Sequence, residues 1–192
     1  ADTIRKLLLD PNERILLINV KLQTARGMLS QMKHLFTTEP LRSLFPEYVP
    51  PKPQDWGTQD QFTVPCRTKF YREPSVLAIS TGSRITGPHF SGFKADDIID
   101  NDNCTTEEQL ANTKEWWERL QYLLDPGGWR DVCGTIYHYQ DLYADPMQSR
   151  GDFKVFKQPI LDKGEAGEWQ SVFPERWSSE RLLKMRDSED LV

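Results

Sequence analysis

Apolar positions change period several times along this chain. Ile4, Leu7 and Leu8 recur at helical spacing and predict a short helix, which Asp10-Pro11-Asn12 stops. Ile15-Leu16-Leu17-Ile18-Asn19-Val20 is a continuous apolar run, the pattern of a parallel strand covered on both faces. Ala25, Met28, Leu29, Met32, Leu35 and Phe36 then mark an amphipathic helix. Helix, strand and helix at this spacing predict α/β layering.

Residues 40–61 carry Pro40, Pro46, Pro50, Pro51 and Pro53 and read as a Pro-rich loop excursion without regular structure. Phe62 to Arg67 and Ser75 to Ser80 predict two short strands joined by a turn near Glu73-Pro74. Gly82 and Gly87 punctuate a polar loop holding Arg84 and His89. Asp96-Asp97 follows. Thr105 with Glu108 three residues on forms a predicted capping box. The helix it opens has an apolar face of Leu110, Trp117, Leu120 and Leu124, and Asp125-Pro126-Gly127-Gly128 ends it. Trp129 to Tyr137 and Phe153 to Ile160 read as further strands. Gly164 and Gly167 mark a turn, and Ser178 starts a last short helix.

The length of 192 residues suits one domain with a real core. The longest apolar run is far too short to cross a bilayer, and no signal peptide is read at the start. The net charge of −5 means that any nucleic-acid contact must use a local basic patch. Cys66, Cys104 and Cys133 are widely spaced and form no Cys-x-x-Cys. They read as reduced, buried thiols of a cytosolic protein rather than zinc ligands. His34, His89 and His138 read as surface or hydrogen-bonding side chains, and the Trp116-Trp117 pair as core.

Adjacent acids at a strand end can divide the labour of nucleotide hydrolysis. One carboxylate holds the shell of a Mg²⁺ ion and the other orients the attacking water. Asp96 and Asp97 are the candidates, and Thr135 in a neighbouring Gly-Thr strand end would sense a γ-phosphate. The plain alternative is a solvated turn shared with Asp100 and Asp102. An EF-hand starting at Asp100 fails, because Thr105 and Ala111 occupy the positions that need Gly and an acid. A metal-dependent nuclease using the acids at 96–102 stays open, as does a non-catalytic NTPase-like interaction module.

In order along the chain come Gly82-Ser83…Thr86-Gly87, Asp96-Asp97, Glu108-Gln109…Trp116-Trp117, Gly134-Thr135-Ile136-Tyr137-His138, Asp141-Leu142-Tyr143 and Phe173-Pro174-Glu175-Arg176-Trp177-Ser178. Together they resemble the ATPase domain of the large terminase subunit of tailed bacteriophages. Asp10-Pro11-Asn12-Glu13-Arg14-Ile15-Leu16 is similar to that family's first strand after the P-loop helix. The resemblance implies a three-layer α/β/α P-loop NTPase-like core with a parallel central sheet, its first strand and P-loop missing. Residues 1–192 would be a partial ATPase domain, with Walker B and coupling motif but without Walker A and the C-terminal nuclease domain. Asp96 would hold Mg²⁺, Asp97 would act on water, and Gly134 with Thr135 would couple phosphate loss to movement. Arg84 would approach phosphate.

The parent protein would be an ATP hydrolase using ATP and Mg²⁺ to package double-stranded phage DNA. Its partners would be that DNA, the small terminase subunit, the portal protein and further copies in a ring. It would work in the cytoplasm of the infected bacterial host, outside the mature virion. Two departures qualify this. No Gly-x-x-x-x-Gly-Lys-[Ser/Thr] occurs, so this chain alone is expected not to hydrolyse ATP. Ser91, Gly92 and Lys94 also stand where a Walker B strand should be apolar.

Overall fold

Strand β1 (Ile15–Asn19) is buried at every position and lies in the middle of a five-stranded sheet of order β2-β3-β1-β4-β5. The structure is a computed structural model describing residues 2–144, 147, 153–156, 158–164 and 167–188. Strands β3 (Val76–Ser80) and β4 (Phe90–Asp96) flank β1 in parallel. Strand β5 (Leu124–Cys133) runs parallel to β4. The short β2 (Gln61–Phe62) is antiparallel at the other edge. The sheet is therefore mostly parallel, as the apolar run of β1 predicts.

Side-chain alternation sends Ile15 and Leu17 into a cluster with Ile4 and Leu7 of helix α1 (Asp2–Leu9) and with Ala25, Leu29 and Phe36 of helix α2 (Leu22–Thr37). A second helix, α5 (Glu107–Gln121), covers β4 through Trp117, whose ring meets Phe93 edge-on with centroids 5.3 Å apart. Helices thus cover both faces of the sheet, and Trp117 is core, as its spacing predicts.

The Pro-rich stretch differs from expectation. It holds helix α3 (Glu39–Leu44) and two single turns, Pro46–Tyr48 and Pro53–Trp56. Each carries a proline in its first turn, where the missing N–H costs nothing. Tyr48 and Trp56 stack around Phe36 at 5.8 and 5.9 Å. The excursion is part of the core because its aromatics close over the α2 face.

Three boundaries also move. Helix α5 is capped by Thr106 and Gln109, one residue beyond the predicted pair, because the Thr105 hydroxyl donates instead to the Asn101 carbonyl. That carbonyl belongs to helix α4 (Asn101–Cys104). Strand β5 begins at Leu124, absorbs residues 125–128 as an irregularity between its Leu124 and Trp129 pairings, and stops at Cys133 rather than at 137. Phe62 is the last residue of β2, so the stretch to Arg67 is not strand.

Residues Ala1–Asp152 and Phe153–Val192 form two units. In the second, 153–156 and 158–160 carry no strand. The pairing lies instead in the hairpin β6 (Leu161–Lys163) and β7 (Trp169–Ser171). Ser178 caps helix α6 (Ser179–Asp187), as predicted.

Candidate functional site

The unusual composition of β4 has a local cause at each position. The Ser91 hydroxyl accepts from Arg14 N–H and donates to the Arg14 carbonyl. Gly92 leaves room for the Trp129 indole, since a Cβ there would lie 2.2 Å from ring atoms. Lys94 ion-pairs with Asp131 at 2.5 Å and with Asp2 at 3.3 Å. A strand with three non-apolar positions holds because its neighbours supply the partners.

Asp96 ends β4 in register with Cys133, the last residue of β5. Asp97 follows at φ 45° and is the one non-glycine with positive φ among the described residues. Side chains with a Cβ rarely adopt this left-handed backbone, although Asp tolerates it better than most. The turn is fixed from several sides. Asp97 N–H donates to the Cys133 carbonyl at 3.0 Å, and the Asp97 carbonyl accepts from Val20 N–H at 3.0 Å. Ile98 N–H donates to the Tyr143 hydroxyl at 2.8 Å. The Ile98 carbonyl accepts from Thr81 Oγ1 and Asn103 Nδ2. An unfavourable backbone persists only where surroundings over-determine it, and such places cluster at functional sites.

Gly134 and Thr135 come directly after β5, so the structure brings them beside Asp96 and Asp97. A Cβ on Gly134 would lie 2.3 Å from the Tyr143 ring. Tyr143 is buried, and burial pushes its phenol pKa up. Its hydroxyl also reaches the Cys133 carbonyl at 3.5 Å. One ring therefore ties the end of β4 to the end of β5. Thr135 is exposed.

Burial raises the pKa of the half-buried Asp96 carboxyl, and the negative charges of Asp97 and Asp131 raise it further against the pull of Lys94. Cys133 is exposed rather than buried as expected, and Cys66 only half-buried; partial desolvation and then Asp96 and Asp97 raise the Cys133 thiol. A carboxylate held uncomfortably in its charged form gains most from a cation placed against it.

Arg84 stands apart. It lies in the loop after β3 and lines a cleft of about 620 Å³ together with Ile85, Glu115, Trp116 and Arg119. Among the described residues no hydrogen bond or ion pair joins it to either acid. Asp100 has another use. Asp100 caps α4, its carboxylate accepting from Asp102 N–H at 2.9 Å. Among the described residues no three His, Cys, Asp or Glu side chains converge as a metal cluster.

Two supporting residues received no role from the sequence, although Asp141 stands in the Asp141-Leu142-Tyr143 stretch. Asn19, buried at the end of β1, donates from Nδ2 to the Asp96 carbonyl at 2.7 Å and accepts from Lys21 N–H at 2.9 Å. A lone amide ending an apolar strand was its only signal. Asp141 is fully buried, and its carboxylate accepts from the N–H groups of Tyr137, His138, Tyr143 and Ala144. It thereby shapes the whole loop that follows Thr135.

The described residues include no helix long and apolar enough to cross a membrane. Neither the protein-family models nor the curated proteins give a match to this chain.

Proposed function

We propose that this chain is the Walker B and coupling portion of the ATPase domain of a phage terminase large subunit. The observation that carries the proposal is the over-determined turn at Asp97, with its left-handed backbone, set beside the Gly134-Thr135 end of the adjacent parallel strand. The open edge of β5 also supports it. In the described sheet β5 has a partner on one side only, and a P-loop strand pairing there in parallel would end next to Gly134-Thr135, with β5 between it and Asp96-Asp97.

The residues suit the implied cofactors. Mg²⁺ is commonly held by one or two carboxylates plus substrate phosphates, and Asp96 with Asp97 meets that requirement without a larger cluster. ATP and Mg²⁺ would supply the transferable phosphoryl group and its charge neutralisation. Asp96 would hold the metal shell and Asp97 would orient water. Thr135, on a loop shaped by Asp141, would respond to the γ-phosphate. Arg84 would serve this site only if its loop moved toward it. The work done would be packaging of double-stranded DNA in the host cytoplasm, with the small terminase subunit, the portal protein and further copies as partners.

The test starts with the coding DNA upstream of the Ala1 codon. A Gly-x-x-x-x-Gly-Lys-[Ser/Thr] motif within about 20 codons, following an apolar strand, is the expected result. The protein including that segment should hydrolyse ATP, and Asp97→Asn should abolish turnover. A start codon with no such motif, or turnover indifferent to Asp97→Asn, would remove the ATPase proposal.

A further inference from the structure

The loop at 65–74 has no role in the site above. Its sequence is Pro65-Cys66-Arg67-Thr68-Lys69-Phe70-Tyr71-Arg72-Glu73-Pro74. Phe70 is 99% exposed. A large aromatic so fully presented to water is uncommon unless something else covers it.

The loop is nonetheless firmly held. Asn12 Oδ1 accepts from the N–H groups of Thr68 and Lys69 at 3.1 and 2.8 Å, and from the Thr68 hydroxyl at 3.1 Å. The Arg67 guanidinium closes the loop by donating to the Glu73 carbonyl at 2.6 Å and reaches the Glu13 carbonyl at 3.3 Å. Tyr71 folds inward under the Arg14 guanidinium at 4.1 Å. The Phe70 ring is thus displayed by a preorganised turn, which lowers the entropy cost of using it.

Charge says what would use it. Lys69 and Arg72 flank the ring, are exposed, and make no ion pair among the described residues. Among the described residues the Arg67 guanidinium hydrogen-bonds to carbonyl oxygens and to no carboxylate, with Glu73 acting on its charge only from a distance. Asp55 and Glu73 line the same groove of about 600 Å³, and three cations outnumber them. Elsewhere this acidic chain pairs part-buried cations, as Arg14 with Asp125 and Arg26 with Asp60. Positive charge beside a free aromatic face fits a polyanion that also carries flat rings.

We infer that the 65–74 loop binds a single-stranded stretch of nucleic acid, with Phe70 stacking on one base and Lys69 and Arg72 meeting the flanking phosphates. Unpaired bases offer a free face to Phe70, whereas duplex bases are already stacked on one another. None of the residues of the Asp96–Thr135 site takes part, so this inference stands independently of the ATPase proposal.

Fluorescence anisotropy with a labelled oligo(dT) of about 20 nucleotides tests it on the full chain, with a blunt duplex of equal length for comparison. The single strand should bind more tightly than the duplex. Phe70→Ala should weaken single-strand binding about ten-fold, and Phe70→Trp should keep it. Lys69→Ala with Arg72→Ala should lower the slope of log affinity against log salt by about 1.4. Thermal melts that match the parent confirm that these exposed positions leave folding intact. Absence of oligonucleotide binding, equal binding of the duplex, or indifference to Phe70→Ala would each overturn the inference. If sedimentation instead showed self-association lost on Phe70→Ala without oligonucleotide binding, the loop would be a protein contact and the inference would fall.

Discussion

Replacing Gly134 with alanine places a methyl group 2.3 Å from the Tyr143 ring and its hydroxyl. The ring is not a loose end that swings aside. It is buried, and its hydroxyl holds Ile98 N–H at 2.8 Å. To clear the methyl, the ring must retreat by about 1 Å to regain an ordinary contact, and that movement releases the Ile98 bond. Overpacking of this kind costs about 1–3 kcal/mol. An orphaned buried N–H adds about 1–3 kcal/mol. A central figure of about 4 kcal/mol corresponds to a fall in Tm of about 8–16 °C for a chain of this size. Calorimetry or denaturant melts of the purified variant would read it. Tyr143→Phe removes the same hydroxyl without the clash and should cost about 1–3 kcal/mol. Because both changes break one bond, the double variant should be less destabilised than the sum by about 1 kcal/mol. Gly134→Ala melting within about 0.5 kcal/mol of the parent, or strict additivity, would refute the link between the ends of β4 and β5.

Three more outcomes follow from the same rim of the sheet. Asp96 has a folded-state pKa above its ordinary 3.8, so the folded protein binds that proton more readily than the unfolded chain. Its contribution to stability therefore declines as pH rises through the range above 3.8. Asp96→Asn should be more stable than the parent at neutral pH, and the advantage should vanish below that range; an unchanged melt at neutral pH would contradict the assignment. Asp97→Gly should gain up to about 1 kcal/mol by releasing the left-handed backbone, while Asp97→Val should lose more than that; equal denaturant midpoints for the two would show that the turn relaxes freely. Asp141→Ala should cost at least about 3 kcal/mol, since four N–H groups lose a charged acceptor, with hydrogen exchange accelerating first at Tyr137, His138, Tyr143 and Ala144. Uniform acceleration across the sheet would mean that Asp141 does not act on this loop in particular.

Much of the sheet was legible because β1 is buried on both faces and its run of four apolar residues admits few other structures. The acid pair was legible too, as a strand end. What periodicity missed has a shared cause. The merits of Ser91, Gly92 and Lys94 lie in partners from Arg14, Trp129, Asp131 and Asp2, far away in sequence, so β4 looks poor until its neighbours are seen. The Pro-rich stretch looked like a linker because proline breaks patterns, yet proline at the start of a short turn is harmless, and Tyr48 and Trp56 needed Phe36 to reveal their purpose. At the site, Asp96, Asp97, Gly134 and Thr135 lie at the ends of the adjacent strands β4 and β5, while Arg84 shares only the end of the sheet. Tyr143 stood in the Asp141-Leu142-Tyr143 stretch, but its bond to Ile98 N–H, like that of Asn19 to the Asp96 carbonyl, joins a distant peptide and leaves no trace of its partner in a single sequence.

Among the described residues β5 has a partner strand on one side only, which has a consequence for handling the protein. A strand with one unpaired edge presents a row of unused N–H and C=O groups, and another chain can add to it. Asp125-Pro126-Gly127-Gly128 disrupts the ladder at the amino-terminal half of β5, where proline also removes a donor. The half from Trp129 to Cys133 is regular and lacks a proline, its guard being the charges of Arg130 and Asp131. Concentrated solutions of this chain should therefore associate edge to edge, beginning beside Cys133, and a further charged substitution on that half would be the simplest way to keep the protein in solution.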